Sequence, residues 1–158
     1  MNTTLTIPQA RMANPAFAVP DAMKPLQALG GAIAHAGLPA TLLELVHLRA
    51  SQINGCGVCV VQHTRIARRR GESDEKLSAV AAWREAPYFT DAERAALALA
   101  EAVTRIADRA EPVPDELWEE ATRHFDEHEL GALVLAIASV NLWNRLNVAT
   151  RQVAGQEW

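Results

Sequence analysis

Asn54-Gly55-Cys56-Gly57-Val58-Cys59-Val60-Val61-Gln62-His63 carries both cysteines of the 158-residue chain and places a histidine four residues past the second sulfur. A CxxC pair spans few enough atoms to close into a disulfide, and an imidazole one helical turn away can exchange protons with it. The segments around the pair decide the fold. A thioredoxin-type CxxC stands beside a strand-helix-strand unit. No alternating strand segment flanks this pair, and helical periodicity runs through most of the chain with no internal repeat. The expected architecture is therefore all-α, a single-domain bundle of about seven helices.

The boundaries follow from caps and breakers. The first helix should cover Ala22 to Ala36 and stop at Gly37; the second should start near Pro39 and fade at Asn54-Gly55. A third should run from about Cys56 to Gly71. Ser73 can cap a fourth, short helix reaching about Glu85 before Pro87. Thr90 and Glu93 have capping-box spacing and open a long helix whose apolar face comprises Ala96, Leu97, Leu99, Ala100, Val103 and Ile106, with an end near Arg109. A sixth helix should follow Pro114 through about Phe125. Asp126 with Glu129 then opens the last, toward Val153. Residues 1–20 read as an N-terminal arm, because Pro8, Pro15, Pro20 and Pro25 interrupt any helix there, and residues 21–158 form the helical domain.

Composition narrows the function. The chain is 49% hydrophobic with a formal net charge of −4, which suits a one-domain globular core. Phosphate binding needs clustered positive charge, so no nucleic-acid partner is expected. Arg65, Arg68, Arg69 and Arg70 form the basic cluster, at a helix C-terminus where cations complement the macrodipole. The apolar run Leu130 to Val140 is shorter than the ~20 residues of a membrane span, and the start lacks a secretory pattern. No membrane association and a cytoplasmic location are expected. In that reducing setting a CxxC pair is catalytic or metal-binding more often than it is a staple.

At about 100° per residue, Cys56, Cys59 and His63 share one helical face, and the first sulfur lies near a helix N-terminus that favours thiolate. Glu44 is the best-placed partner for His63. If Asn54-Gly55 reverses the chain tightly, Glu44 lies about 15 Å before the turn and His63 about 12 Å after it, nearly level. Haem attachment is excluded because Val60, not histidine, follows the second cysteine. Zinc could take two thiolates, one imidazole and one carboxylate, but its ligands commonly come from a turn rather than one continuous helix. No metal and no organic cofactor are expected. His47, one turn from Glu44, could support the site. His35, His124 and His128 read as ordinary helix-end or surface residues, and Trp83, Trp118, Trp143 and Trp158 as core or subunit-contact anchors. Ser51 lacks partners at triad spacing.

The stretch Glu44-Leu45-Val46-His47-Leu48-Arg49-Ala50-Ser51-Gln52-Ile53-Asn54-Gly55-Cys56-Gly57-Val58-Cys59-Val60-Val61-Gln62-His63 resembles the AhpD-like alkylhydroperoxidases of the carboxymuconolactone decarboxylase superfamily. The pattern is Glu, eleven residues, CxxC, three residues and His. Trp83-Arg84-Glu85, Phe89 to Leu97 and Asn141-Leu142-Trp143-Asn144-Arg145 resemble the small single-domain members, so the likeness runs from about Leu26 to Arg151. It implies an all-helical fold, a homo-oligomer (trimer or hexamer), and reduction of hydrogen peroxide or organic hydroperoxides. By position, Cys59 becomes the peroxide-attacking thiol, Cys56 the resolving thiol, and His63 with Glu44 the proton relay. The implied reductant is an external dithiol, a lipoyl group or a thioredoxin-like protein. One position departs: the best-known peroxidase members carry histidine where this chain has Val58. Two other readings share the fold, a non-redox decarboxylase-type enzyme, whose branch typically lacks the CxxC pair, and a disulfide-based redox sensor or assembly protein.

Overall fold

A computed structural model describes residues 8–155. Among them are eight α-helices and no strand: α1 (Pro15–Ala18), α2 (Met23–Ala34), α3 (Ala40–Asn54), α4 (Gly57–Arg69), α5 (Asp74–Ala79), α6 (Asp91–Thr104), α7 (Asp115–Thr122) and α8 (Glu127–Ala149). Helices α2 to α8 answer to the seven expected from sequence. The capping boxes at Thr90–Glu93 and Asp126–Glu129 are both formed, each with reciprocal side-chain and backbone hydrogen bonds.

The differences lie at ends and in the N-terminal segment. The expected fourth helix breaks after Ala79 into a 3₁₀ segment, Val80–Glu85, kinked at Ala82. The long helix opened by Thr90 ends at Thr104, five residues before Arg109, and a 3₁₀ turn covers Ile106–Asp108. Proline does not prevent helix in the N-terminal segment. Pro15 occupies the start of α1, where its missing N–H has no helical partner to lose, and the Asn14 side chain caps the turn by accepting from the Ala16 amide. Pro25 likewise falls within the first turn of α2. Of the expected arm, residues 1–7 lie outside the described residues, as does Trp158.

Helix α3 runs through the centre of the bundle, packed against α4, α6 and α8. Leu45, Val46, Leu48 and Ala50 are buried around it. Its Leu42, Leu43 and Val46 meet Leu99 and Ala100 of α6 and Leu133, Ala136 and Ile137 of α8, while Leu45 and Leu48 meet Trp83, Phe89 and Leu97. Each buried leucine contributes roughly 1.5–3 kcal/mol. The apolar run in α8 is a core helix on one side: Leu130, Leu133, Ile137 and Val140 are buried, and Leu135 and Leu142 are exposed. By length and composition alone that helix is long and apolar enough to cross a membrane.

Candidate active site

The turn between α3 and α4 positions the site. Gly55 adopts φ 65°, a left-handed conformation glycine enters without strain, and the Gly55 and Cys56 amides donate to the carbonyls of Gln52 and Ser51. This Schellman closure ends α3 and starts α4 two residues later, laying the two helices antiparallel. Glu44 and His63 consequently stand level, and His63 Nδ1 lies 2.7 Å from Glu44 Oε2. Glu44 is buried, and its other oxygen, Oε1, accepts from Arg70 at 3.0 Å.

Cys56 is the N-cap of α4 and Cys59 lies in its first turn. Their sulfurs form a disulfide across a Cα separation of 5.4 Å. The Cys59 amide donates to Cys56 Sγ at 3.3 Å. That first-turn donor, which has no intrahelical acceptor, together with the positive end of the helix dipole, favours negative charge on sulfur. Both sulfurs are nearly sealed from solvent, at 1% and 2% residue exposure for Cys56 and Cys59.

Two polar groups that the sequence reading passed over complete the surroundings. Asn147 of α8 donates through Nδ2 to Cys59 Sγ at 3.2 Å. Its Oδ1 in turn accepts from Asn14 Nδ2 at 2.7 Å. Because Asn14 Oδ1 is committed to the Ala16 amide at 2.9 Å, the orientation of both amides is fixed, and an N–H rather than a C=O faces the sulfur. Asn147 continues a ladder with Asn141 and Asn144 along α8, where Asn144 donates to Ser51 and Asn54 donates to both Asn141 and Asn144. The available signal was three asparagines at i, i+3 and i+6 in an otherwise apolar helix, one face that must find partners when buried. Nothing in the sequence near Asn14 announced its contact. Arg70 was expected only as part of the basic cluster at a helix C-terminus. Besides ending α4, it reaches Ala40 O and Glu44, so it is part of the site and not only a complement to the helix dipole.

His47 packs against His63 with ring centroids 4.8 Å apart, and its Nδ1 is buried without a hydrogen-bond partner. Burial, reinforced by His63 and Arg70, pushes its pKa down to about 3, so the ring is neutral at physiological pH. Glu44, His47 and His63 offer ligand atoms within 4.8 Å of one another, a set compact enough to hold a cation. Both Glu44 oxygens are engaged, however, so an ion there has to compete with Arg70 and with the His63–Glu44 bond.

Cys59, Glu44, His47, His63 and Arg70 line a cavity of about 480 Å³. Phe17, Met23, Ile33, Leu43, Val140 and Trp143 supply much of its apolar wall. A concave apolar space with a few converging polar groups is the usual form of a small-molecule site. A thiol lining it can act as nucleophile, and an imidazole on the same wall, oriented by a carboxylate, can move a proton.

The carboxymuconolactone decarboxylase family model matches residues 20–102, the span that contains α2 through most of α6 and hence the CxxC pair, Glu44 and His63. The uncharacterized protein YdfG of Bacillus subtilis (strain 168) is 36% identical over 130 residues, covering 82% of this chain and 87% of YdfG. The crystal structure of ATU0492 from Agrobacterium tumefaciens, a protein of unknown function put forward as the antioxidant defence protein AhpD, superposes with a TM-score of 0.86 at 37% identity, covering 94% of this chain and all of that one. The debrominase Bmp8, solved in complex with 2,3,4-tribromopyrrole, shares the fold at a TM-score of 0.78 and 24% identity, over 88% of this chain and 74% of its own. From the matched span, the relatives and the shared architecture, the chain belongs to the carboxymuconolactone decarboxylase family, among its AhpD-like members.

Proposed function

We propose that this chain is a thiol-dependent peroxidase that reduces hydrogen peroxide or an organic hydroperoxide through Cys59 and Cys56. The observation that carries this reading is the placement of a bonded cysteine pair beside the His63–Glu44 couple, which lines an apolar cavity together with Cys59. In the reduced protein, Cys59 thiolate attacks the distal peroxide oxygen and the O–O bond breaks. Cys59 becomes a sulfenic acid and the alkoxide leaves, protonated from His63. With Nδ1 hydrogen-bonded to Glu44, His63 presents Nε2 for that transfer. Cys56 thiol then attacks the Cys59 sulfur, the hydroxyl departs as water, and the disulfide forms. No metal or organic cofactor enters these steps.

An external dithiol, lipoyl or thioredoxin-like, restores the thiols by exchange. The same reading carries a cytoplasmic homo-oligomer, for which the exposed Leu135 and Leu142 on α8 offer apolar contact surface. A peroxide-consumption assay with dihydrolipoamide tests the central assignment. Turnover by the wild type, abolished by both Cys59→Ser and Cys56→Ser, supports it; equal consumption by all three proteins rejects it. A sensor would form the disulfide once per chain without sustained turnover.

A further inference from the structure

The two cysteines of the disulfide line different spaces. Cys59 lines the 480 Å³ cavity, whereas Cys56 lines a separate groove of about 180 Å³ bordered by Gly57, Val58, Val148, Arg151 and Gln152. Asn147 borders both and stands between them. Thiol–disulfide exchange needs a thiolate to approach one sulfur along the S–S axis, from the side away from the sulfur that leaves. The groove borders Cys56 and the cavity borders Cys59, so each space leads to a different cysteine of the pair.

From this arrangement we infer that the protein is served from two sides: hydroperoxide reaches Cys59 through the cavity, and a slender dithiol reductant attacks Cys56 through the groove. The assignment of reductant rests on the peroxidase reading above. A narrow reductant is called for because Cys56 is 1% exposed and the groove beside it measures only about 180 Å³, room for a slender chain and not for a folded surface. The leaving group favours the same side. Attack on Cys56 expels Cys59 as a thiolate, and Asn147 Nδ2 is already placed to donate to that sulfur. The exposed Arg151 on the rim adds positive charge that attracts an incoming thiolate.

The exchange balances as follows. The first reductant thiolate bonds to Cys56 Sγ, the Cys56–Cys59 bond breaks, and its electron pair stays on Cys59. The second reductant thiol, losing its proton, attacks the reductant sulfur of the mixed disulfide and closes a cyclic disulfide. Cys56 leaves as a thiolate, and the two protons given up by the reductant are taken up by the protein thiols. The reductant loses two electrons and the protein disulfide gains them.

Two variants separate the routes. Val148→Trp fills the groove from a position that is 47% exposed, and Gly30→Leu fills the cavity from a position where an added Cβ meets nothing within 4 Å. Each half-reaction is followed by rapid quench, alkylation and mass measurement: reduced protein with cumene hydroperoxide, and oxidised protein with dihydrolipoamide. Val148→Trp is expected to slow disulfide reduction about tenfold to 100-fold and leave oxidation unchanged, the penalty for keeping reacting atoms from their approach. Gly30→Leu should do the reverse. Reduction slowed by Gly30→Leu and untouched by Val148→Trp overturns the two-sided route. Because reduction of the disulfide is measured without peroxide, the route is tested even if the wild type consumes none, a result that would reject the peroxidase reading alone.

Discussion

Among single residues, Cys59 is surrounded by the first turn of α4, His63 held by Glu44, and Asn147 held by Asn14, the groups that would set its reactivity in the proposed cycle. His63→Gln keeps much of the side-chain volume and removes the proposed proton carrier, so the peroxide step of the proposed cycle should slow by about 10²-fold or more, read in single turnover of the reduced protein. Asn147→Leu should act differently. It removes an N–H donor that stabilises charged sulfur, so the Cys59 thiolate titration, followed by thiolate absorbance, should move to higher pH. An unshifted titration would leave Asn147 a packing residue. The cysteines, His63 and Glu44 were legible because short-range spacing and one tight turn fix their relation. Asn14 and Asn147 were not, because their contact joins residues 133 apart in sequence and only the tertiary fold brings them together.

Among the elements, α3 couples the site to the core. Its Glu44 faces the cavity, while Arg49, five positions on and so about 140° around the helix, faces away and bonds Glu101 of α6 at 2.7 Å. Glu101 is 4% exposed and also accepts from Trp83 Nε1 at 3.0 Å and pairs with Arg84 at 2.7 Å. This cluster explains why the segment after α5 kinks: Trp83 and Arg84 are turned toward Glu101 instead of continuing the helix. No local propensity forecasts that break, whereas the capped starts at Thr90 and Asp126 are written in four consecutive residues each. Glu101→Ala should destabilise the fold by about 2–4 kcal/mol in urea unfolding, since it leaves the largely covered Arg49, 12% exposed, without its counter-charge. A loss below about 1 kcal/mol would show that the cluster contributes little to stability.

For the whole molecule, Glu101 and His47 give acid sensitivity of the same sign. Burial opposes ionisation of Glu101, but hydrogen bonds from Arg84, Trp83 and Arg49 outweigh it and hold its pKa below the usual 4.5. The stability it contributes is complete above the ordinary carboxylate range and is lost as pH falls through the lowered value. His47 is kept neutral by burial, with a pKa of about 3 against 6.5 when exposed. Below pH 6.5 the unfolded chain takes up a proton that the folded one refuses, so stability declines on acidification, by about 2 kcal/mol between pH 7 and pH 5 from this group. Urea midpoints at the two pH values should show that loss in the wild type and a smaller one in His47→Gln. An all-helical bundle was legible from periodicity and caps, and so was the antiparallel pairing of α3 and α4 across Gly55. That the two cysteines line separate spaces was not, because it depends on how the end of α8 packs against the start of α4. The most direct test of the catalytic assignment uses Cys56→Ser protein, fully reduced, mixed with one equivalent of cumene hydroperoxide and a sulfenic-acid trap, then mapped by mass spectrometry. The account predicts a trapped adduct on Cys59; peroxide left unconsumed with Cys59 still a thiol would contradict it.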